Sequence, residues 1–93
     1  MIKTFRDAET ARLWKEEFSR RIPASIHKPA LKKLQMLNAA GALADLTIPP
    51  GNRLEQLKGD RKGQRSIRIN DQYRVCFEWR DGNAYEVEIT DYH

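Results

Sequence analysis

The chain has 93 residues, 40% of them hydrophobic and 32% charged, which is enough for one modest core and excludes two. Its net charge of +4, from 17 Lys and Arg against 13 Asp and Glu, and its pI near 9.5 make nucleic acid a better candidate partner than an acidic substrate. A single cysteine, Cys76, excludes an internal disulfide, and the lack of a membrane-length apolar run or signal peptide predicts a cytoplasmic protein without a membrane partner.

The N-terminal part predicts a short strand and two helices. Residues 2–5 are predicted to form the strand, and Asp7 follows as a helix cap because its carboxylate can accept hydrogen bonds from free backbone amides. Apolar residues then recur on one helix face until Pro23: Ala11, Trp14, Phe18 and Ile22. A second helix is predicted to begin at residue 25 or 28 and to end at Gly41, with its apolar stripe at Ile26, Ala30, Leu34 and Leu37.

The middle of the chain predicts irregular structure followed by the first strand of a sheet. Residues 42–48 are predicted to be short helical or irregular structure, and the sequence after them marks a turn. The next strand is predicted over residues 53–57. A basic loop with two glycines follows at residues 58–63, and its amides and lysines could approach a phosphate, although it lacks the pattern of a nucleotide-binding P-loop. His27 has no partner at metal-ligand spacing, so no metal or cofactor is predicted.

The C-terminal part predicts an apolar sheet face and a basic one. Apolar residues alternate at Ile67, Ile69, Tyr73, Val75, Phe77 and Trp79, and the residues between them include Arg68 and Arg74. A three-residue loop at 70–72 pairs Ile67 with Val75 and sets Arg68 opposite Arg74.

The last hairpin can be paired in two ways. A two-residue turn at Asp81 and Gly82 would set Phe77 against Glu86 and mix the faces, so a three-residue loop at 80–82 is predicted instead. That register pairs Phe77 with Tyr85, Val75 with Val87 and Tyr73 with Ile89, and it sets Arg74 opposite Glu88.

The polar face of this sheet leaves two interpretations open. Glu88 and one arginine can form an ordinary solvated ion pair. Alternatively, Arg68 and Arg74 are only partly compensated and hold a phosphodiester.

The sequence also resembles a known family. The motifs that carry the resemblance are Asn52-Arg53-Leu54-Glu55, the run from Leu57 to Arg61, the run from Ser66 to Arg74, and the ending from Val87 to His93. They resemble the HigB toxins, or proteic killer proteins, of the RelE/ParE toxin superfamily. The resemblance implies an α+β fold over residues 1–93, with two N-terminal helices packed on a small, mostly antiparallel sheet. It also implies an endoribonuclease that cuts mRNA in the ribosomal A site and a HigA-type helix-turn-helix antitoxin as partner.

The resemblance further implies the site residues. Asp91, Tyr92 and His93 match the family's catalytic ending, and Lys58 and Arg74 match its basic positions. Additional RNA-binding candidates on the basic stretch are Arg61, Lys62, Arg65 and Arg68.

A metal-free ribonuclease must remove the 2′-hydroxyl proton, stabilise charge on the phosphate and protonate the leaving 5′-oxygen. His93 is the best acid or base because the unperturbed pKa of a histidine side chain lies near neutrality, and Asp91 can orient it or accept the proton itself. A relative has histidine where this chain has Glu55, so a two-histidine mechanism is excluded. Three alternatives stay open: Glu55 serves as general base, the acid and base roles are divided between Asp91 and His93, or Glu55 merely pairs with Arg53 or Lys58.

Two other functions fit the same sequence. One is a ParE-like inhibitor of DNA gyrase, which needs no acid-base group, and the other is a non-enzymatic RNA-binding module that uses arginines and stacked aromatic rings. The basic face together with Asp91, Tyr92 and His93 argues against the gyrase inhibitor.

Overall fold

The computed structural model describes residues 1–91, so the predictions for Tyr92 and His93 lie outside the described residues. Two helices, α1 (Ala8–Trp14) and α2 (Ala24–Ala39), pack on one face of an antiparallel sheet. Its strands lie side by side in chain order: β1 (Glu55–Gln56), β2 (Arg65–Arg68), β3 (Tyr73–Arg80) and β4 (Asn83–Asp91). The predicted α+β arrangement is confirmed. No helix in this part of the chain is both long and apolar enough to cross a membrane.

Helix α1 begins as predicted and ends early. The Asp7 carboxylate accepts a hydrogen bond from the Thr10 amide at 3.3 Å and caps the helix. The helix ends at Trp14, because Glu16 takes a left-handed conformation with φ of 59°. The prediction that the helix reaches Ile22 and buries Phe18 is therefore wrong, since Phe18 is 72% exposed.

Hydrogen bonds of Ser19 explain why Ile22 is buried in the core although α1 ends at Trp14. The Ser19 hydroxyl donates to the Glu9 carboxylate at 2.9 Å and accepts from the Ile22 amide at 3.2 Å. These local bonds offer the backbone an alternative to the helix and turn it back towards the sheet.

Helix α2 supplies the main helical contribution to the core, and its predicted stripe is confirmed. Ile26, Ala30, Leu34 and Leu37 are all buried. The helix begins at Ala24 and includes Pro29 in its second turn. It ends one residue before Ala40, which is extended, and the predicted stop at Gly41 follows directly.

The first hairpin has the predicted register, with Ile67 opposite Val75 and Arg68 opposite Arg74. The second hairpin differs from the prediction. It closes with the two-residue turn at Asp81 and Gly82, both at positive φ.

The two-residue turn alone would have put polar and apolar residues of β4 on the same face of the sheet. A β-bulge in β4 prevents this. The register shifts between Cys76 and Glu78, with Glu86 as the extra residue at a φ of 52°. Beyond the bulge, Val75 pairs with Ile89, so the apolar face stays intact. As a consequence Arg74 faces Thr90 rather than Glu88, and the predicted pairing is wrong.

The N-terminal segment stabilises this bulge. The Glu86 amide donates to the Thr4 hydroxyl at 2.8 Å, and the Val87 amide donates to the Thr4 carbonyl oxygen at 3.1 Å. Residues 2–5 form two parallel bridges to β4, at Ala84 and Val87, in place of the predicted strand. The predicted strand over residues 53–57 is likewise reduced to β1.

Candidate active site

The face of the sheet opposite the helices carries the polar residues in two rows. Cross-strand pairing places Glu55, Ser66, Cys76 and Glu88 in one row, and Arg68, Arg74 and Thr90 in the next. Because alternate residues of a strand point to opposite faces, these side chains leave the sheet on the same side. The fold thus gathers residues from four strands that the sequence separates by more than thirty positions.

Arg74 is the central cation of this face. Its side chain is only 10% exposed. Its Nε donates to the Ser66 hydroxyl at 2.7 Å, and its Nη2 donates to the Arg53 carbonyl oxygen at 2.6 Å. Its Nη2 also lies 3.4 Å from a Glu55 carboxylate oxygen. A buried guanidinium needs such partners, and together they hold it in one orientation.

Arg61 makes a second ion pair at the other end of the same row. Its Nη1 lies 2.5 Å from Oε1 of Glu88 and 3.1 Å from the side-chain oxygen of Gln64. Gly59, at a φ of 65°, allows the tight turn at 59–61 that carries Arg61 back over β4. Glu88 therefore compensates Arg61, and not Arg74 as the predicted register implied.

The other predicted RNA-binding residues are dispersed around this centre. Arg68 pairs with Asp71 at the hairpin. Arg65 lies opposite Phe77, so strand alternation places it on the other face from Arg74. Lys58 and Lys62 are exposed beside a recess of about 300 Å³ lined by Gln56, Leu57, Lys58, Gly59 and Lys62.

The two candidate carboxylates lie at opposite edges of the sheet. Glu55 is on β1, half exposed, and its ion-pair partner is Arg74 rather than Arg53 or Lys58. Asp91 is on β4, and its Oδ2 accepts a hydrogen bond from the side-chain Nε2 of Gln72 at 3.1 Å. Three strand spacings separate β1 from β4, or about 14 Å. Asp91 lies opposite Tyr73 on the strand next to Arg74, but strand alternation directs its side chain to the other face of the sheet, so Glu55 and not Asp91 shares the face of Arg74.

Known proteins share this chain's sequence over nearly its whole length. Residues 3–93 match a family described as the RelE-like toxin of the type II toxin-antitoxin system HigB. The chain belongs to the HigB-like toxin family. Toxin HigB-1 of Vibrio cholerae is 51% identical over 82 residues, which cover 82% of this chain and 86% of that protein. Endoribonuclease HigB of Proteus vulgaris is 30% identical over 93 residues, the full length of both chains.

Solved structures show that the HigB-like chain shares the fold of other toxins. The YoeB-YefM complex from Staphylococcus aureus has a TM-score of 0.61 at 16% identity, covering 100% of this chain and 98% of that one. YafQ from E. coli has a TM-score of 0.58 at 14% identity, covering 98% and 93%. The family and the RelE-like fold inferred from the sequence are thereby confirmed.

Two residues of the HigB-like site received no role from the sequence. Ser66 is fully buried and accepts the Nε bond of Arg74, and Gln64 supports Arg61. The alternation that places Ser66 on the same face as Arg74 was a usable signal for the serine. Gln64 lies in the loop before β2, where no periodic pattern indicates direction.

Cys76 is fully buried between the two ion pairs. Burial raises the pKa of the Cys76 thiol, and the positive charge of Arg61 lowers it by less. The thiol is thus held in its neutral form at neutral pH.

We expect Cys76 in the folded protein to resist thiol reagents at neutral pH and to react readily once the chain is unfolded. Because the unfolded thiol ionises at a lower pH than the folded one, the free energy of unfolding should fall as pH rises above about 8.5. Denaturant titrations of the wild type and Cys76→Ala at several pH values measure the contribution of Cys76 to the pH dependence of the free energy of unfolding. Equal slopes in both proteins would contradict it.

Proposed function

We propose that this HigB-family toxin is a ribosome-dependent, metal-free endoribonuclease that cuts mRNA in the ribosomal A site. The observation that carries the proposal is the Arg74 guanidinium, held by Ser66 and the Arg53 carbonyl beside the half-exposed Glu55 carboxylate. A fixed cation next to an accessible base is the pair of groups that attack by a 2′-hydroxyl on the adjacent phosphate requires.

Each group has a distinct role in the proposed reaction. Arg74, with Lys58 from the neighbouring loop, binds the scissile phosphate and stabilises the charge that builds on it. Glu55 removes the 2′-hydroxyl proton, the 2′-oxygen attacks phosphorus, and the 5′-oxygen departs. The products are a 2′,3′-cyclic phosphate and a 5′-hydroxyl end.

The family resemblance supplies the rest of the proposed machinery. His93 protonates the leaving 5′-oxygen, Tyr92 stacks on a base or donates a hydrogen bond, and Asp91 orients His93. Lys62, Arg61 and Arg68 from the basic stretch contribute to RNA binding around the centre, whereas Arg65 lies on the other face of the sheet and is not given this role.

Relatives support both the activity and the partners. The relative from Proteus vulgaris is named Endoribonuclease HigB, and it aligns with the entire chain. Members of type II toxin-antitoxin systems act with an antitoxin, and a structural neighbour is a YoeB-YefM complex. We propose a HigA-type helix-turn-helix protein as the antitoxin here. Ribosome-bound mRNA is a cytoplasmic substrate, which agrees with the compartment predicted from the sequence.

The proposal predicts new RNA ends when the toxin is expressed briefly without an antitoxin. We expect 5′-hydroxyl ends inside translated codons for the wild type and their loss in His93→Gln, because the leaving oxygen would lack its acid. Mapping the 5′ ends of cellular RNA measures both. Growth arrest with gyrase-linked DNA damage and without such ends would instead support the ParE-like inhibitor.

A further inference from the structure

The polar face of the sheet continues beyond the candidate active site to the turn between β3 and β4. Glu78 and Arg80 stand at alternate positions of β3, so their side chains leave the sheet on the same face as that of Arg74. Tyr85 pairs with Glu78 across the hairpin and therefore lies on this face as well. Six residues separate Arg80 from Arg74, which places them about 20 Å apart along β3.

Arg80 and Tyr85 form a cation–π pair at this end of the face. They are diagonal neighbours on adjacent strands, and Cζ of Arg80 lies 4.1 Å from the centroid of the Tyr85 ring. Arg80 also pairs with Glu78, but Nη2 and Oε1 are 3.9 Å apart and both side chains are exposed, so this ion pair is weak. The ring, rather than the carboxylate, therefore fixes the position of the guanidinium.

The pair leaves a flat, charged surface open to solvent. The helices cover the other face of the sheet, and the Arg80 side chain is 59% exposed although the Tyr85 ring lies beneath it. A guanidinium is planar and weakly hydrated, so its outer side can stack on the π-face of an unpaired nucleobase. The tyrosine ring on its inner side holds it ready for that contact.

We propose that Arg80 and Tyr85 form a stacking site for one base of the mRNA strand, apart from the scissile phosphate at Arg74. The inference rests on the proposed function, because that function supplies the mRNA. Arg61, which contacts Glu88, lies between the two sites on the same face, so cations follow the path of the strand. Every base has a π-face, and the site therefore binds the strand without selecting its sequence.

The surroundings of the pair favour an RNA strand over the antitoxin. Tyrosine and arginine are also enriched at the centres of protein interfaces, where apolar neighbours surround them. The neighbours of Arg80 on this face are polar, namely Glu78 and Asn83, which pairs with Arg80 next to the turn. A nucleobase brings its own flat apolar surface to such a site and keeps its polar edges in water.

The test measures the binding of single strands to the full chain. The probes are an oligoadenylate with 2′-O-methyl groups, which cannot supply the attacking hydroxyl, and a strand of the same length that lacks all bases. The variants are Tyr85→Leu, which removes the ring, and Arg80→Lys, which keeps the charge and loses the planar group. Their matched controls are Phe18→Leu and Arg20→Lys, at exposed positions in the loop between α1 and α2.

We expect each variant to bind the adenylate strand roughly tenfold more weakly than the wild type, because one stacked base is lost. Binding to the strand without bases should not change. The slope of log K against log salt should also stay the same, since neither variant removes a positive charge. Both controls should match the wild type. An equal loss with both strands would indicate a role in folding or in phosphate binding and would overturn the proposal.

Further outcomes separate the stacking site from its alternatives. Adenylate binding that is undetectable in the wild type at low salt, or unchanged in both variants, would reject the site, and mRNA cleavage on the ribosome by the wild type would leave the proposed function intact. Weaker binding of the variants to the cognate antitoxin alone would assign the pair to that protein instead. If the wild type binds adenylate through this pair but cuts no mRNA on the ribosome, the proposed function fails and the stacking site stands.

Discussion

Replacement of Arg74 by lysine is expected to lower the rate of mRNA cleavage on the ribosome by about 10² to 10³, the effect of losing one fixed donor at a developing oxyanion. Lysine keeps the charge, but an ammonium group cannot donate to Ser66 and to the Arg53 carbonyl while also presenting a planar edge to a phosphate. The positive charge would remain near the phosphate, but the hydrogen-bond donors would no longer be held in a fixed orientation.

Single-turnover cleavage of mRNA in a reconstituted translation system measures this change. Arg68→Lys is the matched control, because Arg68 lies directly opposite Arg74 on the same face but pairs at the hairpin with Asp71. We expect at most a few-fold effect there. If Arg74→Lys cleaves at a rate within about threefold of the wild type, Arg74 does not act through its geometry.

Substitution of Ser66 tests the orientation of the Arg74 guanidinium without removing the guanidinium itself. In Ser66→Ala the guanidinium keeps the Arg53 carbonyl but loses its 2.7 Å bond at Nε, so a rate loss of about tenfold is expected. Ser66→Thr restores a hydroxyl and should recover most of that rate. A purely structural role of Ser66 would instead lower the free energy of unfolding of the alanine variant and leave the rate of its folded fraction unchanged.

The hairpins show which part of the fold the sequence could specify. Alternation of apolar residues determined the register of β2 with β3, because a one-residue slip would have exposed Ile67 and Val75. The same argument gave the wrong register for β4. It assumed an unbroken strand, whereas Glu86 in a left-handed conformation is accommodated by hydrogen bonds that the Glu86 and Val87 amides donate to Thr4, more than eighty residues away. A bulge that depends on a distant partner leaves no local pattern to detect.

The candidate site was predictable in its residue types and not in its pairings. The sequence identified the arginines and Glu55, because charge clusters and family motifs can be recognised from the order of the residues alone. It could not assign Glu88 to Arg61, since that 2.5 Å contact depends on how the loop around Gly59 folds over β4. The loop after Trp14 was missed for the same reason. Its course follows from the Ser19 and Glu9 bond, which helical periodicity does not encode.

Glu55→Gln and Asp91→Asn together identify the general base. If Glu55 removes the 2′-hydroxyl proton, Glu55→Gln should reduce cleavage by about 10² to 10⁴, the range for loss of a positioned base. Glutamine keeps an oxygen for Arg74 and is nearly isosteric with glutamate, so the phosphate site should remain formed. Asp91→Asn should have a smaller effect, since Asp91 lies opposite Tyr73 on the other face of the sheet from Arg74 and contacts Gln72.

The pH dependence of single-turnover cleavage distinguishes a base from an ion-pair partner. If Glu55 is the general base, the rate of cleavage by the wild type should rise with pH on the acidic side, and this rise should disappear in Glu55→Gln because glutamine cannot accept the proton. Binding to the ribosome should stay constant throughout. A larger defect in Asp91→Asn, with the acidic limb still present in Glu55→Gln, would move the base from β1 to the end of β4. Glu55 would then be a residue that only neutralises Arg74 in the absence of RNA.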